Sequence, residues 1–74
     1  MKKHSVIITG HATSFSLEPE FWDCLKQIAA EKQTSLAHLI EQIDNSRQTN
    51  LSSAIRVYVL KTLAEKVIQN KQAE

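Results

Sequence analysis

The sequence predicts a mainly α-helical domain: a short N-terminal extended segment followed by three helices. Two observations carry that expectation. Residues 11–17 alternate strictly, with Thr13, Phe15 and Leu17 on one face and Ala12, Ser14 and Ser16 on the other. This is the period-two signature of a half-buried strand. Beyond Pro19, apolar residues recur at spacings of three and four, the period of a helix that buries one face.

The strand takes in residues 11–17, preceded by Val6-Ile7-Ile8-Thr9 and Gly10. Those β-branched residues favour extended backbone, so residues 1–10 are a free arm or an extra strand. The first helix spans 18–33. Pro19 suits its first turn, and Glu18 and Glu20 suit the positive end of its dipole. Phe21, Leu25, Ile28 and Ala29 form its stripe, widened by Trp22. Lys32-Gln33-Thr34 breaks the pattern, and Ser35 caps a second helix over 35–45 with Leu36, Leu39, Ile40 and Ile43 on one face. Polar residues 44–50 form a loop. Asn50 or Ser52 then caps a third helix over 51–69, with a frayed tail from Asn70 to Glu74. Residues 54–60 are apolar nearly all round, which implies burial on more than one side.

Size and composition set the limits. Seventy-four residues make one small domain, and such a domain commonly needs a staple or a partner. Cys24 is alone, so no disulfide can serve. His4, His11, His38 and Cys24 lack paired-ligand spacing, so no metal is expected. No apolar run approaches the roughly 20 residues of a membrane span. Val6-Ile7-Ile8 is too short for a signal-peptide core, so the expected location is cytoplasmic. Nine Lys and Arg against eight Asp and Glu give a net charge of +1, which neither demands nor excludes nucleic acid. Lys2, Lys3 and His4 all precede the first acidic residue, Glu18, so the arm is locally basic. There is no glycine-rich phosphate loop and no ordered nucleophile–base pair, so neither an enzyme nor a cofactor is expected.

A solitary strand leaves its backbone groups unpaired. Either residues 6–9 fold back at Gly10, or the strand pairs with its copy in a second chain. The second option also completes the small core, and is preferred on that ground.

The run Thr13-Ser14-Phe15-Ser16-Leu17-Glu18-Pro19-Glu20, with Leu25, Ile28 and Ala29 and then Ser35, Leu39 and Ile40, resembles the ribbon-helix-helix (Arc/MetJ-type) family of bacterial DNA-binding repressors. Gly10-His11 and Asn50-Leu51-Ser52-Ser53-Ala54-Ile55-Arg56 resemble a subfamily with an added third helix. The resemblance implies one strand pairing across a homodimer, then three helices. It also implies that the dimeric ribbon enters the major groove of double-stranded DNA. Ala12, Ser14 and Ser16 would face the bases, and Phe15, Leu17, Trp22, Leu39 and Ile40 would form the dimer core. Thr34, Ser35, Lys2, Lys3 and His11 would meet phosphates. Gln33 stands where the family often has Gly. Ala12 stands where DNA-reading members often carry a basic or polar residue, so base discrimination is expected to be modest. Arg56, inside an apolar stretch, is expected to pair with a carboxylate or a carbonyl. The alternative function is a protein-interaction dimer, an antitoxin or adaptor with a protein partner.

Overall fold

Thr9 and Gly10 sit at φ 52° and 78°, and two consecutive left-handed residues make the turn that best matches the twist of a two-residue hairpin. The computed structural model, which describes residues 1–72 (side chains through residue 68), therefore begins with an intrachain β-hairpin. Strand β1 (Lys2–Ile8) runs antiparallel to β2 (His11–Leu17), pairing Lys2 with Leu17, His4 with Phe15 and Ile8 with His11. The strand expected to pair with a second copy is paired first by its own chain. The physical reason is local. A two-residue turn brings the strands together at little loop-closure cost, whereas a second chain must give up translational and rotational freedom.

Three helices follow: α1 (Pro19–Glu31), α2 (Leu36–Ser46) and α3 (Leu51–Gln72). Pro19 opens α1, Glu20 lies in its first turn, and the Glu18 carbonyl accepts the Trp22 N–H at 3.0 Å. At the other end Gln33 adopts φ 55°. Its N–H reaches the Ala30 carbonyl at 3.1 Å, and the Thr34 N–H reaches Ala29 at 3.0 Å. This is the Schellman closure, and a non-glycine residue accepts it at a cost of about 1 kcal/mol. Ser35 caps α2, its hydroxyl accepting the His38 N–H at 3.0 Å. Of the two candidate caps for α3, Asn50 does the work: its side-chain oxygen accepts the Ser53 N–H at 2.9 Å. The expected frayed tail, Asn70 to Glu74, ends outside the described residues.

Each element gives one face to a single core. The hairpin contributes Ile8, Phe15 and Leu17, and α1 contributes Leu25, Ile28 and Ala29. Helix α2 adds Leu39, Ile40 and Ile43, and α3 adds Leu51, Ile55 and Val59. Helix α3 packs on both α1 and α2. Arg56 pairs with Glu18 at 2.9 Å, and Lys66 pairs with Glu31. The hydrogen bond from Arg56 holds the Glu18 carboxyl below its ordinary value, so this link persists while Glu18 is ionised.

Two expectations change here. Residues 54–60 are not buried all round: Ile55 and Val59 are sealed, but Val57 and Leu60 face outward. The residues expected at a dimer core lie in the core of one protomer. Leu17 and Ile40 are fully buried, Phe15 and Leu39 nearly so, and Trp22 half-buried. Strand β1 and helix α3 supply the cover that a second chain was expected to provide. Cys24, on the apolar side of α1, is half-buried against this core.

Candidate nucleic-acid interface

Alternation along the two paired strands divides the hairpin into two faces. Phe15 and Leu17 of β2, with Val6 and Ile8 of β1, look onto the helices. Ala12, Ser14 and Ser16 look the other way, each beside a β1 residue in register: Ile7, Ser5 and Lys3. The outward face is thus a two-by-three patch carrying hydroxyls, one lysine, two apolar groups and no acid. Ser5 and Ser14 share a hydroxyl hydrogen bond across it at 3.0 Å. Ile7 stands 72% exposed beside Ala12. The sequence pointed to Ala12, Ser14 and Ser16 and, as a phosphate contact, to Lys3, but not to Ser5 or Ile7. Ser5 and Ile7 were legible in principle, because Lys3, Ser5 and Ile7 alternate ahead of Gly10 as Ala12, Ser14 and Ser16 do after it.

Backbone polarity adds an asymmetry. Across a two-residue turn, Ile8 and His11 form a hydrogen-bonded pair, so the N–H and C=O of Ala12, Ser14 and Ser16 point to the outer edge of β2. The Ser52 hydroxyl of α3 donates to the Ser16 carbonyl at 2.8 Å, closing that edge at its end. This is the role Ser52 takes in place of capping α3.

The residues expected to meet phosphate do not form one cluster. Lys3 lies on the outward face beside Ser16, whereas Lys2 and His11 lie in the inward-facing register at opposite ends of the hairpin. Six residues of strand separate those ends, about 20 Å. Thr34 is half-buried and its N–H closes α1, while Ser35 is exposed and caps α2. The first-turn N–H groups of Leu36 and Ala37 have no intrahelical acceptor and are available to an anion. Among the described residues, Lys2, Lys3, Lys32 and Lys61 carry no ion-pair partner, whereas Lys26, Arg47, Arg56 and Lys66 do.

Behind the outward face lies an aromatic stack. The His4 ring lies flat on Trp22, centroids 3.7 Å apart and 10° from parallel, with Phe15 at 5.9 Å. His4 Nε2 is buried and has no hydrogen-bond partner. Desolvation, aided by Lys2 and Lys26, pushes the His4 pKa below its ordinary 6.5, so the neutral ring is the native form. An unfolded chain takes up this proton first as pH falls through 6.5. Stability is therefore highest above that pH and declines as pH drops toward the folded-state value. Urea unfolding should show a lower midpoint at about pH 5.5 than at about pH 7.5, and His4→Phe should flatten the difference. An undiminished slope in that variant would assign the pH dependence elsewhere.

Among the described residues, no group of three or more His, Cys, Asp and Glu side chains is placed to hold a metal ion. No described helix is long and apolar enough to cross a membrane. Comparison with curated proteins and with solved structures gives no match. A family model described as the ribbon-helix-helix domain matches residues 1–63, which takes in the hairpin, α1, α2 and the buried part of α3. Domains of this kind are in general DNA-binding regulators and generally dimerise. With the match running through every element that builds the core, this chain belongs to the ribbon-helix-helix domain family.

Proposed function

We propose that this chain is a DNA-binding transcriptional repressor that lays the outward face of its β-hairpin in the major groove and works as a homodimer. The observation that carries this reading is the outward face itself: a two-stranded surface of Lys3, Ser5, Ile7, Ala12, Ser14 and Ser16, turned from the core and free of acidic residues. A two-stranded ribbon fits the roughly 12 Å major groove. The serine hydroxyls can donate to or accept from several bases, and Ala12 and Ile7 offer apolar contact to thymine methyls. With no Arg, Asn or Gln in the patch, there is no bidentate partner for guanine or adenine, so discrimination is modest. Lys3 and the N-terminus of α2 with Ser35 would anchor phosphates, fixing position without reading sequence. For a domain of this size, occupying a site is the simplest way to regulate, which favours repression.

The test is titration of the purified protein against a duplex from upstream of its own gene, at two salt concentrations, with excess unrelated DNA. The expected result is binding that survives the competitor and weakens with salt. Few cations face the groove, so the slope of log affinity on log salt should be shallow, on the order of −2 to −4. A folded protein that binds no duplex at low salt would leave the second reading, a protein-interaction module. What favours that alternative is the exposed apolar face of α3.

A further inference from the structure

A cavity of about 440 Å³ opens between the last turn of α2, the loop after it and the first three turns of α3. No hairpin residue lines it. Its volume falls in the range of small-molecule sites, roughly 300–1,000 Å³. One wall is the stripe Ala54, Val57, Tyr58 and Lys61, whose spacings of three, one and three share a helix face. The other is the end of α2, with Ile43 and Arg47. We propose that this cavity binds a small organic monoanion, a carboxylate carried on an apolar body. The assignment goes beyond the DNA-binding reading and does not rest on it.

The charge of the ligand follows from the lining. Two cations, Arg47 and Lys61, stand on the cavity, and no acidic residue does. Asp44 offsets Arg47, whose Nε donates to its carboxylate at 2.6 Å. Lys61 has no ion-pair partner among the described residues, and Glu65, four residues on, does not pair with it. One cation is thus left uncompensated, which suits a single negative charge. The end of a helix would ordinarily repel an anion through its bare carbonyls. Here that end is covered: the Ser46 hydroxyl donates to the Gln42 and Ile43 carbonyls at 3.2 and 3.3 Å, and the Arg47 N–H reaches the Asp44 carbonyl.

The donors are also set in advance. Besides Asp44, Arg47 holds the Thr49 carbonyl through Nη1 at 2.8 Å, so its guanidinium is fixed from two sides. Nη2 has no partner among the described residues and remains available as a donor to a carboxylate. Preorganised donors reduce the ordering cost of binding. The rest of the lining calls for an apolar body. Ile43 is buried, Ala54 and Tyr58 are half-buried, and Val57 adds an exposed isopropyl group. A bare inorganic anion would leave these surfaces wet. A neutral apolar molecule would leave Lys61 unanswered.

Amide-resolved NMR titration of the full chain tests the proposal, with benzoate, phenylacetate and hexanoate as probes and acetate and benzyl alcohol as controls. The three probes should shift amides of residues 43–49 and 54–61 saturably, with dissociation constants below about 10 mM. Acetate and benzyl alcohol should each bind at least about tenfold more weakly, since each lacks one half of the ligand. Lys61→Gln should weaken the probes about tenfold, and Lys61→Arg should keep them. Ala54→Leu, which fills the space, should abolish binding. Lys61 is exposed, so its variants keep the test open even if Ala54→Leu disturbs the packing of α3. Absence of saturable binding by all three probes would overturn the proposal. So would benzyl alcohol or acetate binding as well as benzoate, or probe affinity indifferent to Lys61→Gln.

Discussion

Replacing Ser14 and Ser16 together with glutamate should lower affinity for the upstream duplex by about 100-fold or more while leaving the fold intact. Each lost hydroxyl hydrogen bond is worth about 0.5–1.5 kcal/mol, and two carboxylates would be pressed into the groove between phosphates, where like charges repel. At position 16 the new carboxylate also stands beside Lys3 in register and neutralises the one cation of the outward face. The fold should tolerate both changes. Ser14 is exposed, and it gives up only an exposed hydroxyl bond to Ser5. Ser16 contributes its carbonyl, not its side chain, to the contact with Ser52. Thermal melting and gel-shift titration of the same preparation make the comparison. A retained melting temperature with unchanged affinity would remove the hairpin from the DNA contact.

The largest effect on stability should come from Ile55→Ala. Ile55 is fully buried where α3 closes the core, and large-to-small changes at such sites cost about 2–5 kcal/mol. A domain of this length holds about 4–11 kcal/mol in all, so the melting temperature should fall by at least about 10 °C. Leu60→Ala, five residues on along the same helix, removes a similar volume from the outward face. It should shift the melting temperature of the monomer by no more than a few degrees, since the Leu60 side chain is 65% exposed. The contrast is the informative quantity. Equal losses in dilute protein would mean that α3 does not sit on α1 and α2 by its Ile55 face.

Much of the architecture was legible before any coordinates because it rests on local physics. The alternation of Thr13, Phe15 and Leu17 against Ala12, Ser14 and Ser16 specified both the strand and its two faces, since side chains on a strand have no third choice. Pro19 and Ser35 marked helix starts because they solve the problem of unpaired N–H groups at those points. Arg56 had to find a carboxylate or carbonyl, and Glu18 supplies it. Gln33 closes α1 in the left-handed conformation, as a residue in the place of a glycine must.

What the sequence determined by itself, then, was the order of the elements, their caps, and which side of β2, α1 and α2 turns inward. Only the tertiary structure decided which partner each surface meets. A strand edge presents the same N–H and C=O groups whatever its side chains, so β2 could pair equally with residues 2–8 or with a second chain. The hairpin fills one edge of β2 through a cheap local turn and leaves the other edge outward. It also set Lys2 and His11 at opposite ends of the hairpin and Lys3 on its outward face. Residues 54–60 of α3 are apolar nearly all round, so their periodicity could not say which face is covered. Packing on α1 and α2 chose the Ile55 face and left the Leu60 face outward. The same packing buries Leu17, Leu39 and Ile40 within one chain, because burial depends on which surface arrives to exclude water and not on the residue that is covered.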